Sequence, residues 1–143
     1  MTAPLVRTFE MDVTSLISGA NFSCPIGRAP FAGRVTLVEY IPANAVLAST
    51  NVANTVRTFT LYNRKTDGAG TTALARGALT SAAASQTAFG TGLQDNVAST
   101  LPLTTTALLT FAAGDVLEWE SSFSGSTGGI DPGGRAIVTY ARI

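Results

Sequence analysis

Histidine does not occur in this 143-residue chain. Without an imidazole there is no Ser-His-Asp or Cys-His nucleophilic machinery, and the commonest side-chain ligand of transition metals is missing. Cysteine occurs once, at Cys24, which excludes an intramolecular disulfide and a cysteine-based zinc site. Lysine also occurs once, at Lys65, and Arg64–Lys65 is the only adjacent cationic pair. Only 13% of the residues are charged, about half the ~25% of an ordinary domain. Nine basic and nine acidic residues cancel. Phosphate neutralisation needs clustered cations, so nucleic acid is not an expected partner. No window approaches ~18 consecutive apolar residues, so no membrane partner is expected. The opening "MTAPLVRTFEMDV" has neither the basic start nor the apolar core of a secretory leader.

What replaces the missing charge is mostly Thr, Ser, Ala and Gly, a mixture suited to pleated sheets and tight turns. A surface so poor in charge also suits one that a partner covers. Arginine supplies nearly all the positive charge, which favours fixed, planar contacts over mobile ones.

Period-2 alternation marks the strands. "GRVTLVEYIP" places Val35, Leu37, Glu39 and Ile41 on one face and Arg34, Thr36, Val38 and Tyr40 on the other, and Pro42 ends it. "TVRTFTLYN" sets Phe59 and Leu61 against Val56, Thr58, Thr60 and Tyr62. "KTDGAGT" reads as a turn, with positive φ expected at Asp67-Gly68 and Gly70. Gly77 in the following strand marks an expected bulge. "STLPLTTTALLTF" reads as a further strand, with Pro102 at an edge or start. "VLEWESSF" follows the Gly114-Asp115 turn and lines up Leu117, Trp119, Ser121 and Phe123. "RAIVTYARI" and, near the start, "VRTFEMDV" complete the set, while Pro25 and Pro30 break "SCPIGRAPFAG" into extended pieces. Segments 42–54 and 80–96 admit a short helix or a long loop. Some eight strands with turn signals between them predict an all-β fold, a single antiparallel β-sandwich, jelly-roll-like in winding. Residues 1–20 form a candidate extended N-terminal arm or first strand, and 21–143 the sandwich domain.

Four acids, Asp115, Glu118, Glu120 and Asp131, surround the solitary Trp119. Glu118 and Glu120 share a strand face, roughly 7 Å apart, a spacing compatible with an inverting glycosidase pair. Half-buried sheets alternate apolar-in and polar-out, so the favoured reading is that Trp119 packs inward while the acids face solvent or a neighbour. Asp115 and Asp131 with loop carbonyls are a calcium candidate, but no D-x-[DN]-x-[DN]-G spacing is present. "GAGTT" and "GSTGG" lack the phosphate-loop spacing. Cys24 reads as a buried small hydrophobe. Tyr40, Tyr62 and Tyr140 suit strand packing, with a sugar-binding face as the alternative. No catalytic, cofactor-binding or metal residue is assigned, no cofactor is expected, and the chain is expected not to be an enzyme.

Two long segments resemble the capsid decoration, or head cement, proteins of tailed bacteriophages. They are "FAGRVTLVEYIPANAVLASTNVANTVRTFTLYNRKTDGAGTTALARGAL" and "AAGDVLEWESSFSGSTGGIDPGGRAIVTYARI". The shared shape is A-G-x-V-T and a proline, then R-T-x-T-L-x-N, a D-G-x-G-T turn, A-x-G-D-V-L and D-P-G-G-x-x-x-V. It covers most of the chain from Phe31 onward and none of the first thirty residues. The resemblance implies a structural virion protein on the outer capsid surface, made in the cytoplasm of a bacterial host. It implies the major capsid protein as partner and a homotrimer as the assembly, clamping contacts between capsid subunits. The alternative is a carbohydrate- or receptor-binding sandwich module of a phage head or tail fibre.

Overall fold

The computed structural model describes residues 5–16, 20–44, 56–80, 97–124, 131 and 133–143. Nine strands occur among them. They are β1 (Val6–Val13), β2 (Phe22–Arg28), β3 (Gly33–Pro42), β4 (Val56–Asn63), β5 (Thr72–Thr80), β6 (Ser99–Thr100), β7 (Thr110–Phe111), β8 (Val116–Ser124) and β9 (Gly134–Arg142). They form two antiparallel sheets. The first runs β1-β9-β3-β6, with β7 also on β3, and the second runs β2-β8-β4-β5.

Four antiparallel pairings explain the order: β1 with β9, β2 with β8, β3 with β6 and β7, and β4 with β5. They follow one another along the chain like the rungs of one long hairpin. Rolling that ribbon brings β9 beside β3 and β8 beside β4. The expected all-β sandwich is therefore present, wound as a jelly roll. Connections 28–33, 63–72 and 111–116 lie at one pole, and the opposite pole carries the last residues of β1, β3, β5 and β8.

β8 and β9 keep strict alternation, and β1 keeps it from Thr8 onward. In β8, Leu117, Trp119 and Ser121 are buried, and Phe123 points the same way. β3 departs from it. A bulge between Val35 and Leu37 inserts one residue into the pairing with β9. Inward residues are consequently Val35, then Val38 and Tyr40, whereas Leu37 and Ile41 are only half-buried. A one-residue slip moves every later side chain to the other face, and this one reverses the expected assignment beyond Thr36. Another register shift lies between Leu61 and Tyr62 opposite Ala75 and Ala73, which buries Leu74 and Ala75 in succession, and a third lies in β2 between Pro25 and Gly27. Gly77, expected to bulge, pairs in register with Phe59. In the β4–β5 turn, positive φ falls on Lys65 and Gly68 and not on Gly70.

β4 lies between two strands, and its sides are both covered. Thr58 and Thr60 are buried, as are Arg57, Phe59, Leu61 and Asn63. The segment read as one strand across 99–111 is instead a strap. Its β6 joins β3, Leu103 bridges Ala75 of the other sheet, a 3-10 turn spans Thr106–Leu108, and β7 returns to β3. Amide Thr104 donates to the Leu74 carbonyl at 2.9 Å and amide Arg76 to that of Pro102 at 3.0 Å. One side of the sandwich is thereby closed. Expectations for 45–54 and 81–96 lie outside the described residues.

Two groups of rings fill the interior. Phe9 stacks on Tyr140 at 4.7 Å with Phe31 and Phe111 around it, while Tyr40, Phe59 and Trp119 form the second group. The first group needs close approach between strands: a Cβ on Gly27 would stand 2.5 Å from the Phe9 ring. Gly134 has φ +149 and faces the Ile41 carbonyl. Gly27→Ala is therefore expected to destabilise by about 1–3 kcal/mol, because the Phe9 ring must shift. Gly134→Ala is expected to cost more, since backbone on β3 cannot rotate away and φ is unfavourable. Urea unfolding of both variants measures the order.

Candidate functional site

Carboxylates near Trp119 divide into two environments. Trp119 is fully buried between the sheets, with ring centroids 5.7 Å from Tyr40 and 5.8 Å from Phe59. Glu118 and Glu120 project from the opposite face of β8, as alternation requires. They do not stand free in solvent. Arg64 Nε and Nη2 donate to Glu118 Oε1 at 2.9 and 2.6 Å, and Arg64 Nη2 lies 3.8 Å from Glu120 Oε2. The guanidinium also rests over the Tyr62 ring at 4.4 Å. One arginine thus holds both acids and covers the one tyrosine on this face. Such a charge-assisted double contact fixes side chains that would otherwise rotate.

Asp115 and Asp131 overturn the expectation that all four acids face outward. Asp115 is 2% exposed and Asp131 is fully buried. Asp115 Oδ2 accepts from Asn63 Nδ2 at 2.8 Å and from the Ala112 amide at 3.0 Å, with Lys65 Nζ at 3.8 Å. Asn63 Oδ1 in turn accepts the Lys65 amide at 2.8 Å. The pair ties the β4–β5 turn to the β7–β8 turn. Asp131 Oδ1 accepts from Tyr40 Oη at 2.6 Å and from the Gly133 amide at 3.0 Å, and its backbone bridges Leu16 in both directions. Burying a carboxylate is costly unless donors surround it; Asp115 has recruited them, and Asp131 has two on Oδ1 but none on its buried Oδ2 among the described residues. Short polar side chains beside Gly and Pro signalled turns in the sequence, but nothing local signalled that these turns fold inward.

Arg57 was not anticipated at all. It sits on the inward face of β4, 1% exposed, donates from Nη1 to the Ala20 carbonyl at 2.5 Å, and lies over the Phe123 ring at 5.6 Å. Burial lowers its pKa, and the charges of Asp131 and Tyr40 act against that loss. Tyr40 is held well above the ordinary phenol range, first by burial and then by the Asp131 charge and hydrogen bond. Burial also raises Tyr140, and nearby Arg7 counters it. Trp119, Tyr40 and Tyr140 are thus committed to the interior, with Tyr62 half-buried under Arg64. Cys24 is half-buried on β2. Among the described residues, no group of three or more Cys, Asp or Glu could hold a metal ion. No described helix is long and apolar enough to cross a membrane. No family model matches the chain, and neither a curated protein nor a solved structure matches it.

Tyr40→Phe keeps the ring and deletes the donor, so it is expected to destabilise by about 1–3 kcal/mol through the under-satisfied Asp131. Ser121 Oγ is buried without a partner among the described residues. Ser121→Ala is expected to be neutral or stabilising by up to about 1 kcal/mol. The phenol shifts give a pH dependence with a definite sign. Above about pH 10 an unfolded tyrosine releases its proton while the buried one keeps it, so unfolding gains. Stability contributed by Tyr40 and Tyr140 is full below that pH and is lost as pH rises beyond it. Denaturation followed from pH 8 to 11.5 should show this fall, with a shallower slope in Tyr40→Phe.

Proposed function

We propose that the chain is a structural virion protein that binds the outer surface of a bacteriophage capsid and stabilises contacts between major capsid subunits. One observation carries the reading. The segments that resemble capsid decoration proteins build β3, β4, β8 and β9, the strands that occupy the middle of both sheets, together with the adjoining edge strand β5. The resemblance therefore lies on one contiguous structural unit and not on scattered turns.

The engagement of the acids supports a non-catalytic role. Glu118 is clasped by Arg64, Asp115 by Asn63, and Asp131 by Tyr40. General acid–base work needs a carboxyl group free to reach a substrate proton. Each of these three holds backbone or a neighbouring strand in place. The alternative of a carbohydrate-binding module has weaker support, because Trp119, Tyr40 and Tyr140 offer no ring face to a sugar.

Purified virions should contain this chain at a copy number comparable to that of the major capsid protein. Quantitative mass spectrometry of particles tests this directly. Absence from particles, or presence in only a few copies, would sink the proposal. Added to shells that lack it, the protein should raise the temperature at which they rupture.

A further inference from the structure

Net neutrality conceals a separation of charge. Six of the nine cations, Arg7, Arg28, Arg34, Arg64, Lys65 and Arg142, lie at the pole carrying connections 28–33 and 63–72. Three acids, Asp67, Asp115 and Glu118, lie there with them. The other described acids, such as Glu10, Glu39 and Asp131, are placed from mid-sandwich toward the opposite pole.

The three acids at the basic pole are already engaged. Glu118 takes Arg64, Asp115 is buried against Asn63, and Asp67 accepts the Ala69 amide at 3.0 Å within its own turn. Arg7, Arg28, Arg34 and Arg142 have no carboxylate in ion-pair range among the described residues, whereas Lys65 has one and Arg64 and Arg135 have two each. Arg7, Arg28 and Arg142 are exposed and Arg34 is half-buried. Arg28 is held in place by its Nε donating to the Gly114 carbonyl at 3.1 Å, and Arg142 by lying over Phe31 at 5.7 Å. The four come from four different strands. Arg7 opposes Tyr140, Arg34 opposes Ala141 and Arg142 opposes Gly33, so these three backbones fall within two strand spacings, roughly 10 Å. Leu5 and Val6, 40% and 54% exposed, stand among them.

We infer that this pole is a docking surface for an acidic protein surface, whose Asp and Glu carboxylates pair with Arg7, Arg28, Arg34 and Arg142 around a contact on Leu5 and Val6. Arginine presents a rigid fork that suits carboxylates, and arginine beside apolar side chains is the composition of protein interfaces. A phosphate backbone would gain nothing from Leu5 and Val6, and the acidic opposite half would repel a long polyanion. Under the proposed function this pole faces the shell. Only the partner's identity rests on that reading; the surface itself does not.

Binding of the full chain to immobilised poly-L-glutamate, to duplex DNA and to undecorated phage shells tests the inference at low and at physiological salt. The triple variant Arg28→Glu, Arg34→Glu, Arg142→Glu should lose roughly tenfold or more in affinity for poly-L-glutamate, with the wild-type affinity falling as salt rises. The double variant Arg76→Glu, Arg135→Glu, which changes cations outside this pole, should bind within about twofold of wild type. Trp119 emission checks that each variant is folded, and Arg34→Gln supplies a milder change that should weaken binding in the same direction. No wild-type binding to poly-L-glutamate, or equal losses in the triple and double variants, would overturn the surface. Tighter binding to DNA than to poly-L-glutamate would overturn the protein partner in favour of phosphate. Binding to poly-L-glutamate without binding to shells would uphold the surface and remove the capsid reading instead.

Discussion

Tyr40 joins the two sheets through both ends of one side chain. Its ring, on β3, packs 4.7 Å from Phe59 and 5.7 Å from Trp119 of the facing sheet. Its hydroxyl donates to buried Asp131, whose backbone in turn bridges Leu16 between β1 and β2. Apolar burial supplies most of the free energy in such an interior but sets little direction. The hydroxyl–carboxylate contact adds direction, because an unpaired buried carboxylate would be costly in any other arrangement. β3 must then stay in the register that keeps Tyr40 inward, and the bulge after Val35 makes that register compatible with pairing to β9.

The same logic operates at the other pole with different residues. Asp115 gathers the Asn63 amide and the Ala112 amide, so two turns distant in sequence become one corner. Read along the chain, both acids form a calcium candidate. In the fold each serves as an anchor for turns that cannot form ladder hydrogen bonds of their own. Glu118 and Glu120 stay on the outer face, where Arg64 hydrogen-bonds the first and lies within ion-pair range of the second. The chain thus spends its few charges on positioning, and leaves unpaired arginines where the termini of β1, β3 and β9 meet.

Much of this architecture was legible from residue order. β1, β8 and β9 lie within a residue of the segments read as strands, and the faces of β8 follow its alternation. Trp119 inward and Glu118 and Glu120 outward follow from the same rule. β3 beyond Thr36 was not legible, since a bulge is decided by the partner strand and leaves no mark in "GRVTLVEYIP". The 99–111 strap reads as a Thr-rich strand because β-branched residues suit either state; its path is set by where Ala75 and β3 leave open edges.

The sequence alone determined that this is a β-sandwich with an apolar inner layer, because period-2 patterning is a property of neighbouring residues along one chain. It also determined what chemistry the chain lacks, since histidine and paired cysteines are absent outright. Only tertiary structure decided that Asp115, Asp131 and Arg57 lie inside and that unpaired arginines from four strands share one pole. Burial and charge separation depend on which distant segments become neighbours, and that follows from sheet winding and register, which no single stretch of sequence encodes.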